Sequence, residues 1–247
     1  MSDIALPFPD RAQAGRALSG KLMHYASNAD VLVLALPRGG VPVGFEVARA
    51  LRAPLDIFVV RKLGLPGHEE YAMGAIASGG VRVMSPMPGC SVSPEAVAEV
   101  VVREQAELTR RERLYRGQLP AVTLAGRIVI VVDDGLATGA TMRAALQAIR
   151  QQRPARLVAA APVGAPDTCQ ALRGDADEVV CAAMPQPFRA VGLWYKNFPQ
   201  TSDDEVIALL DEARRDIARL SPRLELHVEM PQHALPGGAP AGQTRRQ

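Results

Sequence analysis

The chain has 247 residues, 48% of them hydrophobic, enough to bury one sizeable core. Its 28 Lys and Arg nearly balance 26 Asp and Glu, so a net charge of +2 makes no case for nucleic-acid binding. The three cysteines, Cys90, Cys169 and Cys181, lack metal-ligand spacing and read as reduced thiols; no apolar run reaches the roughly 18 residues of a membrane span, and the expected location is cytoplasmic.

Residues 10–27 carry Ala, Leu and Met at helical spacing, with Asp10 as the expected N-cap. VLVLAL (31–36) is a continuous apolar run, as in a strand covered on both faces. A helix is expected at 43–52 and a second strand at 55–60, LDIFVV. Residues 61–92 are rich in Gly and Pro, with a hairpin expected from MGAIAS (73–78) and VRVM (81–84). A charged helix should run over 93–116, with Glu and Arg at three- and four-residue spacing on a solvated face. IVIVV (128–132) is the third strand, followed by a helix at 140–152. RLVAAAPV (156–163) is the fourth, followed by a helix at 166–173, and EVVCA (178–182) is the fifth.

This alternation predicts a doubly wound, mostly parallel five-stranded sheet with flanking helices. Ligands of such sheets sit beyond the carboxyl ends of the strands. Residues 221–247 are rich in Pro, Gly, Ala and Gln towards their end and read as a disordered tail.

The stretch VIVVDDGLATGAT (129–141) carries the chemistry. Asp133 and Asp134 end a buried strand. A loop of small residues and two Thr, Ala137, Thr138, Gly139, Ala140 and Thr141, then opens a helix, where unpaired N–H groups and the helix dipole favour an anion. It is not a Walker loop, for no G-x-x-x-x-G-K-[ST] is present. Carboxylates beside a phosphate site should accept from hydroxyls or face a metal; a ribose 5-phosphate meets both demands.

The same stretch resembles the phosphoribosyl pyrophosphate (PRPP) signature of type I phosphoribosyltransferases. The resemblance makes Asp133 and Asp134 acceptors for the ribose hydroxyls and 137–141 the 5′-phosphate loop. LPRGGVPVG (36–44) resembles the family's diphosphate loop, with Arg38, Gly39 and Gly40 as donors. VVRKLGLPGHEEYAMGAIA (59–77) resembles the opening of its mobile catalytic loop and makes Arg61 and Lys62 catalytic cations; His68 is a further candidate on that loop. Gly135 departs from the usual apolar residue and is expected to loosen the loop.

The implied reaction is PRPP-dependent transfer of a phosphoribosyl group to a nitrogenous base, or the reverse, with Mg²⁺ reached indirectly by Asp133 and Asp134 through ribose hydroxyls or water. Ala137 stands where 6-oxopurine enzymes of the family carry an Asp, which argues against hypoxanthine or guanine handled in that way. A small hood is expected from residues 1–15 and 184–205 over a domain spanning 1–220, with Phe188, Trp194 and Tyr195 around VGLWYKNF (191–198) either stacking on the base or packing as an apolar lid on the sheet edge. The resemblance leaves a homodimer open. A regulator of the same fold, binding PRPP or a nucleotide without turnover, is the alternative; a nicotinamide-dependent enzyme is disfavoured because the first strand lacks G-x-G-x-x-G.

Overall fold

The computed structural model describes residues 4–66, 68–84 and 93–220, with only the backbone of 69–72. Five strands form the main sheet: β1 (Val31–Ala35), β2 (Leu55–Ile57), β6 (Ile128–Val132), β7 (Arg156–Val163) and β8 (Glu178–Ala183). Their order is β2-β1-β6-β7-β8, and every pairing is parallel.

Alternate strand residues enter opposite cores. Val31, Val33, Ile130, Val132 and Val158 face one core, while Leu32, Leu34, Val129, Val131 and Leu157 face the other. Both faces being covered is why these strands read as unbroken apolar runs. The first face packs on α1 (Arg11–Leu22), α2 (Gly40–Leu51) and α6 (Asp203–Leu220). The second packs on α4 (Ala140–Arg150) and the short α5 (Pro166–Ala171). Asp10 caps α1 as expected, accepting from the Gln13 N–H at 2.7 Å. Helix α2 begins three residues before the expected start, because Pro42 is tolerated in a first turn.

The expected strand at 55–60 is in fact two. Leu55–Ile57 stays in the parallel sheet, then the chain leaves it at Phe58. Val59 turns to Ser78: its N–H donates to Ser78 Oγ at 2.9 Å, and the Ser78 N–H donates to its carbonyl at 2.9 Å. From there β3 (Val60–Leu65), β4 (His68–Ala77) and β5 (Val81–Met84) form a second, antiparallel sheet in the order β3-β4-β5. The expected hairpin is its β4–β5 half; the β3–β4 half carries no strand signal in sequence because Gly64 and Gly74 interrupt the pattern.

Helix α3 (Pro94–Arg116) is capped by Ser93, whose Oγ accepts from the Ala96 N–H at 3.2 Å. Arg116 at its end is buried and chelates Asp56 at 3.0 Å to each carboxylate oxygen, pinning α3 beside β2. Helix α6 is an addition to the expected elements, although its signals are ordinary ones. Ser202 caps it, three acids fill its first turn, and Val206, Leu210 and Ala213 form its buried stripe. Among the described residues no helix is long and apolar enough to cross a membrane. The expected disordered tail and Cys90 lie outside the described residues.

Candidate active site

The strand order reverses between β1 and β6, since β2 lies to one side and β7 and β8 to the other. A crevice opens at such a reversal beyond the carboxyl ends of the two strands. Ala35 pairs with Val132, so the loop after Leu36 and the acids after Val132 leave the sheet side by side. The two loops are in direct contact. A Cβ on Gly39 would lie 2.1 Å from Asp134 Oδ2, and one on Gly40 would lie 2.6 Å from the Val132 carbonyl oxygen. Neither glycine is needed for a positive φ; both are needed for this approach.

Asp133 and Asp134 are part-buried. The Asp134 N–H donates to Asp133 Oδ1 at 2.9 Å. Burial, and then the neighbouring Asp134 charge, push the Asp133 carboxyl well above the usual carboxylate range. Burial also raises Asp134, against the pull of Arg11. That arginine, in the first turn of α1, donates from Nε to Asp134 Oδ2 at 2.9 Å and from Nη1 to the Pro199 carbonyl at 2.7 Å. Its guanidinium carbon sits 3.8 Å from the Phe198 ring centre. Arg11 has no signal in the sequence, because it follows a helix cap and belongs to no motif.

Past the acids, the Leu136 N–H donates to the Val163 carbonyl at 2.9 Å and the Ala165 N–H to the Leu136 carbonyl at 2.8 Å, tying the loop to the end of β7. Thr168 Oγ1 on α5 donates to the Ala137 carbonyl at 2.5 Å. Gly139 has φ 70 and a Cβ there would meet Thr168 Cγ2 at 2.6 Å, so both conformation and space demand glycine. Ala137, Thr138, Ala140 and Thr141 are exposed around the first turn of α4. Gly135 does not loosen this loop: a Cβ there would lie 2.5 Å from Val191 Cγ1 and 3.2 Å from Val163 Cγ2, so the missing side chain admits Val191.

The cations are held apart. Arg38 lies at the crevice rim, 3.7 Å from Asp203 at the start of α6, and that carboxylate also accepts from the Tyr115 hydroxyl at 2.6 Å. Arg61 points to α3, where Glu104 accepts from its Nε at 2.9 Å and Nη2 at 2.6 Å. Alternation along β3 puts the exposed Lys62 side chain on the opposite face of that sheet.

Residues 4–8 and 188–198 pack together beside the acids. Phe8 and Tyr195 form a parallel bridge, and Ile4, Leu6, Phe188, Val191, Trp194 and Phe198 join the same apolar cluster. Tyr195 is buried, with Phe198 stacked at 4.8 Å and Phe8 tilted at 5.9 Å. It therefore has no open face for a flat ring, and of the two readings of this aromatic group the packed lid fits Tyr195. Its hydroxyl instead donates to the Asp134 carbonyl at 2.6 Å, and burial raises its pKa. Phe188 is part-exposed and lines a hollow of about 540 Å³ with Pro166, Asp167 and Gln186. The Trp194 ring is tilted against it at 6.1 Å, with Nε1 buried and unpartnered. Among the described residues no three His, Cys, Asp or Glu cluster as a ready metal cage.

A family model described as "Phosphoribosyl transferase domain" matches residues 6–193. Two strains of Mycobacterium tuberculosis hold relatives named "Putative phosphoribosyl transferase", each 49% identical over 213 residues, 85% of this chain and 48% of theirs. The chain thus spans about half the length of these relatives. Among solved structures, the TT1426 protein of Thermus thermophilus is 41% identical with a TM-score of 0.74, covering 83% of this chain and 98% of that one.

Proposed function

The chain belongs to the phosphoribosyl transferase domain family, and from that premise we propose that it moves a phosphoribosyl group between PRPP and a nitrogenous base, with diphosphate as the other partner. One observation carries this reading. The acid pair and the small-residue loop run continuously from β6 into α4, and Gly39 and Gly40 press a second donor-rich loop onto those same acids. A ribose 5-phosphate with a diphosphate at C1 has the matching array of groups: hydroxyls, one phosphate on one side and two on the other.

In this proposal Asp133 and Asp134 accept hydrogen bonds from the ribose hydroxyls. The backbone and hydroxyls of Ala137, Thr138, Gly139, Ala140 and Thr141 hold the 5′-phosphate. Arg38 and the Gly39 amide face the diphosphate, while the Gly40 N–H donates to the Leu36 carbonyl at 3.0 Å and shapes that loop; on the β3–β4 arm Arg61 would exchange Glu104 for the diphosphate, and Lys62 would reach it only on movement of the arm. Catalysis is then mostly positioning, with fixed donors aimed where negative charge grows on the leaving group.

The donor set fits Mg²⁺: two crowded carboxylates, their pKa values raised by burial, face a crevice where a cation or hydroxyl donors relieve them. Asp133 and Asp134 would hold the ion through water or the ribose hydroxyls, and when bound it supplies charge neutralisation on the diphosphate. The hollow by Phe188 is the proposed seat of the base, with the hood built by residues 1–15 and 184–205. Ala137 has no proton-exchanging group, which favours acceptors other than 6-oxopurines.

The test is calorimetry with PRPP and Mg²⁺, then diphosphate release across adenine, orotate, uracil, hypoxanthine and guanine. Binding of PRPP with release on one base is the expected result. Absence of PRPP binding overturns the proposal.

A further inference from the structure

Behind the phosphate loop lies a second group of reactive side chains with no part in the transfer reaction. Cys169 on α5 and Cys181 on β8 meet at Gly164, just past the end of β7. A Cβ on Gly164 would stand 2.4 Å from Cys169 Sγ and 3.0 Å from Cys181 Sγ, so the glycine is what gives both sulfurs room. Both thiols are free, and both sulfurs crowd the same Cβ position of Gly164. Cys169 is buried and Cys181 part-exposed, and both line a cavity of about 280 Å³ with Lys21, Arg173 and Glu178. That cavity is a route for a small solute to sulfurs otherwise shielded by the sheet.

The pair is chemically unequal. The neighbouring Cys181 thiol holds the Cys169 thiol below its usual range, and the Arg173 charge acts in the same direction against burial. Cys181 is pushed up by its Cys169 neighbour and by burial. These shifts favour Cys169 as the attacking thiolate, with the Cys181 thiol beside it at Gly164 to resolve.

We propose that Cys169 and Cys181 form a peroxide-oxidisable dithiol, a modification site that closes as a reversible disulfide between α5 and β8. The Cys169 sulfur attacks one oxygen of hydrogen peroxide. The O–O bond breaks, and the departing hydroxide takes up the thiol proton as water, leaving Cys169 oxidised to a sulfenic acid. The Cys181 sulfur then attacks the Cys169 sulfur. The S–O bond breaks, and the hydroxyl leaves as a second water with the Cys181 proton. Two thiols and one peroxide yield one disulfide and two waters. An S–S bond of about 2.05 Å is shorter than any non-bonded sulfur contact, so closure draws α5 towards β8. Thr168, which holds the Ala137 carbonyl at 2.5 Å, rides on the same helix turn.

The experiment uses the full chain in a Cys90→Ser background, which leaves this pair as the only thiols. Folded protein is treated with one equivalent of hydrogen peroxide, then thiols are counted and peptides mapped. The expected result is loss of both thiols, a peptide crosslinked through Cys169 and Cys181, and full recovery with dithiothreitol. A further Cys181→Ser change should trap a dimedone-reactive sulfenic acid at Cys169, whereas Cys169→Ser should slow oxidation by at least about tenfold. No crosslinked peptide, or crosslinking no faster in the folded chain than in urea, would overturn the proposal.

Discussion

Replacing Arg11 by Ala tests the electrostatic design of the crevice. The Arg11 and Asp134 side chains are 11% and 16% exposed, so the pair is largely shielded from water. Removing one member of a buried pair costs about 3–5 kcal/mol. The lower end applies here, because Asp134 already has a raised pKa and can take up a proton when its partner goes. A loss of about 3 kcal/mol corresponds to roughly 6–12 °C in the melting temperature of a domain this size. The pH dependence carries the sharper test. The folded pKa of Asp134 lies above its ordinary value of 3.8, so protonation stabilises the folded state below that value, and this advantage is lost as pH rises through the folded pKa. Without Arg11 that pKa rises further. The deficit of Arg11→Ala should therefore be full at pH 8 and shrink towards pH 4, as Asp134 takes up its proton and the contacts to Phe198 and Pro199 become the main loss. Thermal melts of Arg11→Ala, Asp134→Asn and the double variant across this range would measure it. A deficit equal at both pH values, or a coupling below about 0.5 kcal/mol at pH 8, refutes the reasoning.

Asp133→Asn keeps an acceptor for the Asp134 N–H while removing a carboxylate whose pKa burial and Asp134 raise. Because that folded pKa is raised, ionised Asp133 costs stability at neutral pH; the variant should melt higher at pH 7.5 by about 1 kcal/mol, lose that gain as pH falls towards 4, and bind PRPP more weakly by calorimetry. Gly39→Ala forces a Cβ to within 2.1 Å of Asp134 Oδ2, so PRPP affinity should drop at least tenfold, while circular dichroism shows the fold retained. Arg116→Ala strands the buried Asp56, at 8% side-chain exposure for both partners, and should cost about 3–5 kcal/mol in denaturant melts.

Much of the fold is legible in the sequence because each strand of the parallel sheet is locally self-evident. VLVLA and IVIVV must be buried on both faces, and helices α1 and α3 begin at side-chain caps, Asp10 and Ser93. The β3 strand is not legible, because Gly64 and the following Pro66 match a loop and its regular geometry comes from pairing with β4. Helix α6 is missing from the expected elements despite a readable cap and acidic first turn.

The site divides in the same way. The acid pair and the phosphate-type loop are contiguous, so residues 133–141 can be read from spacing and residue type alone. Sequence also marks Arg38, Gly39 and Gly40 as a loop after a strand. It does not show that Gly39 touches Asp134, that Arg11 and Tyr195 brace that same residue, or that Arg61 is bound to Glu104. Those contacts join residues far apart in the chain; the Gly39–Asp134 approach depends on β1 lying next to β6, and the Arg61–Glu104 pair on α3 packing against β3. Local hydrophobic pattern specifies that a strand forms, whereas its neighbours are chosen by how the whole set of faces can be buried at once.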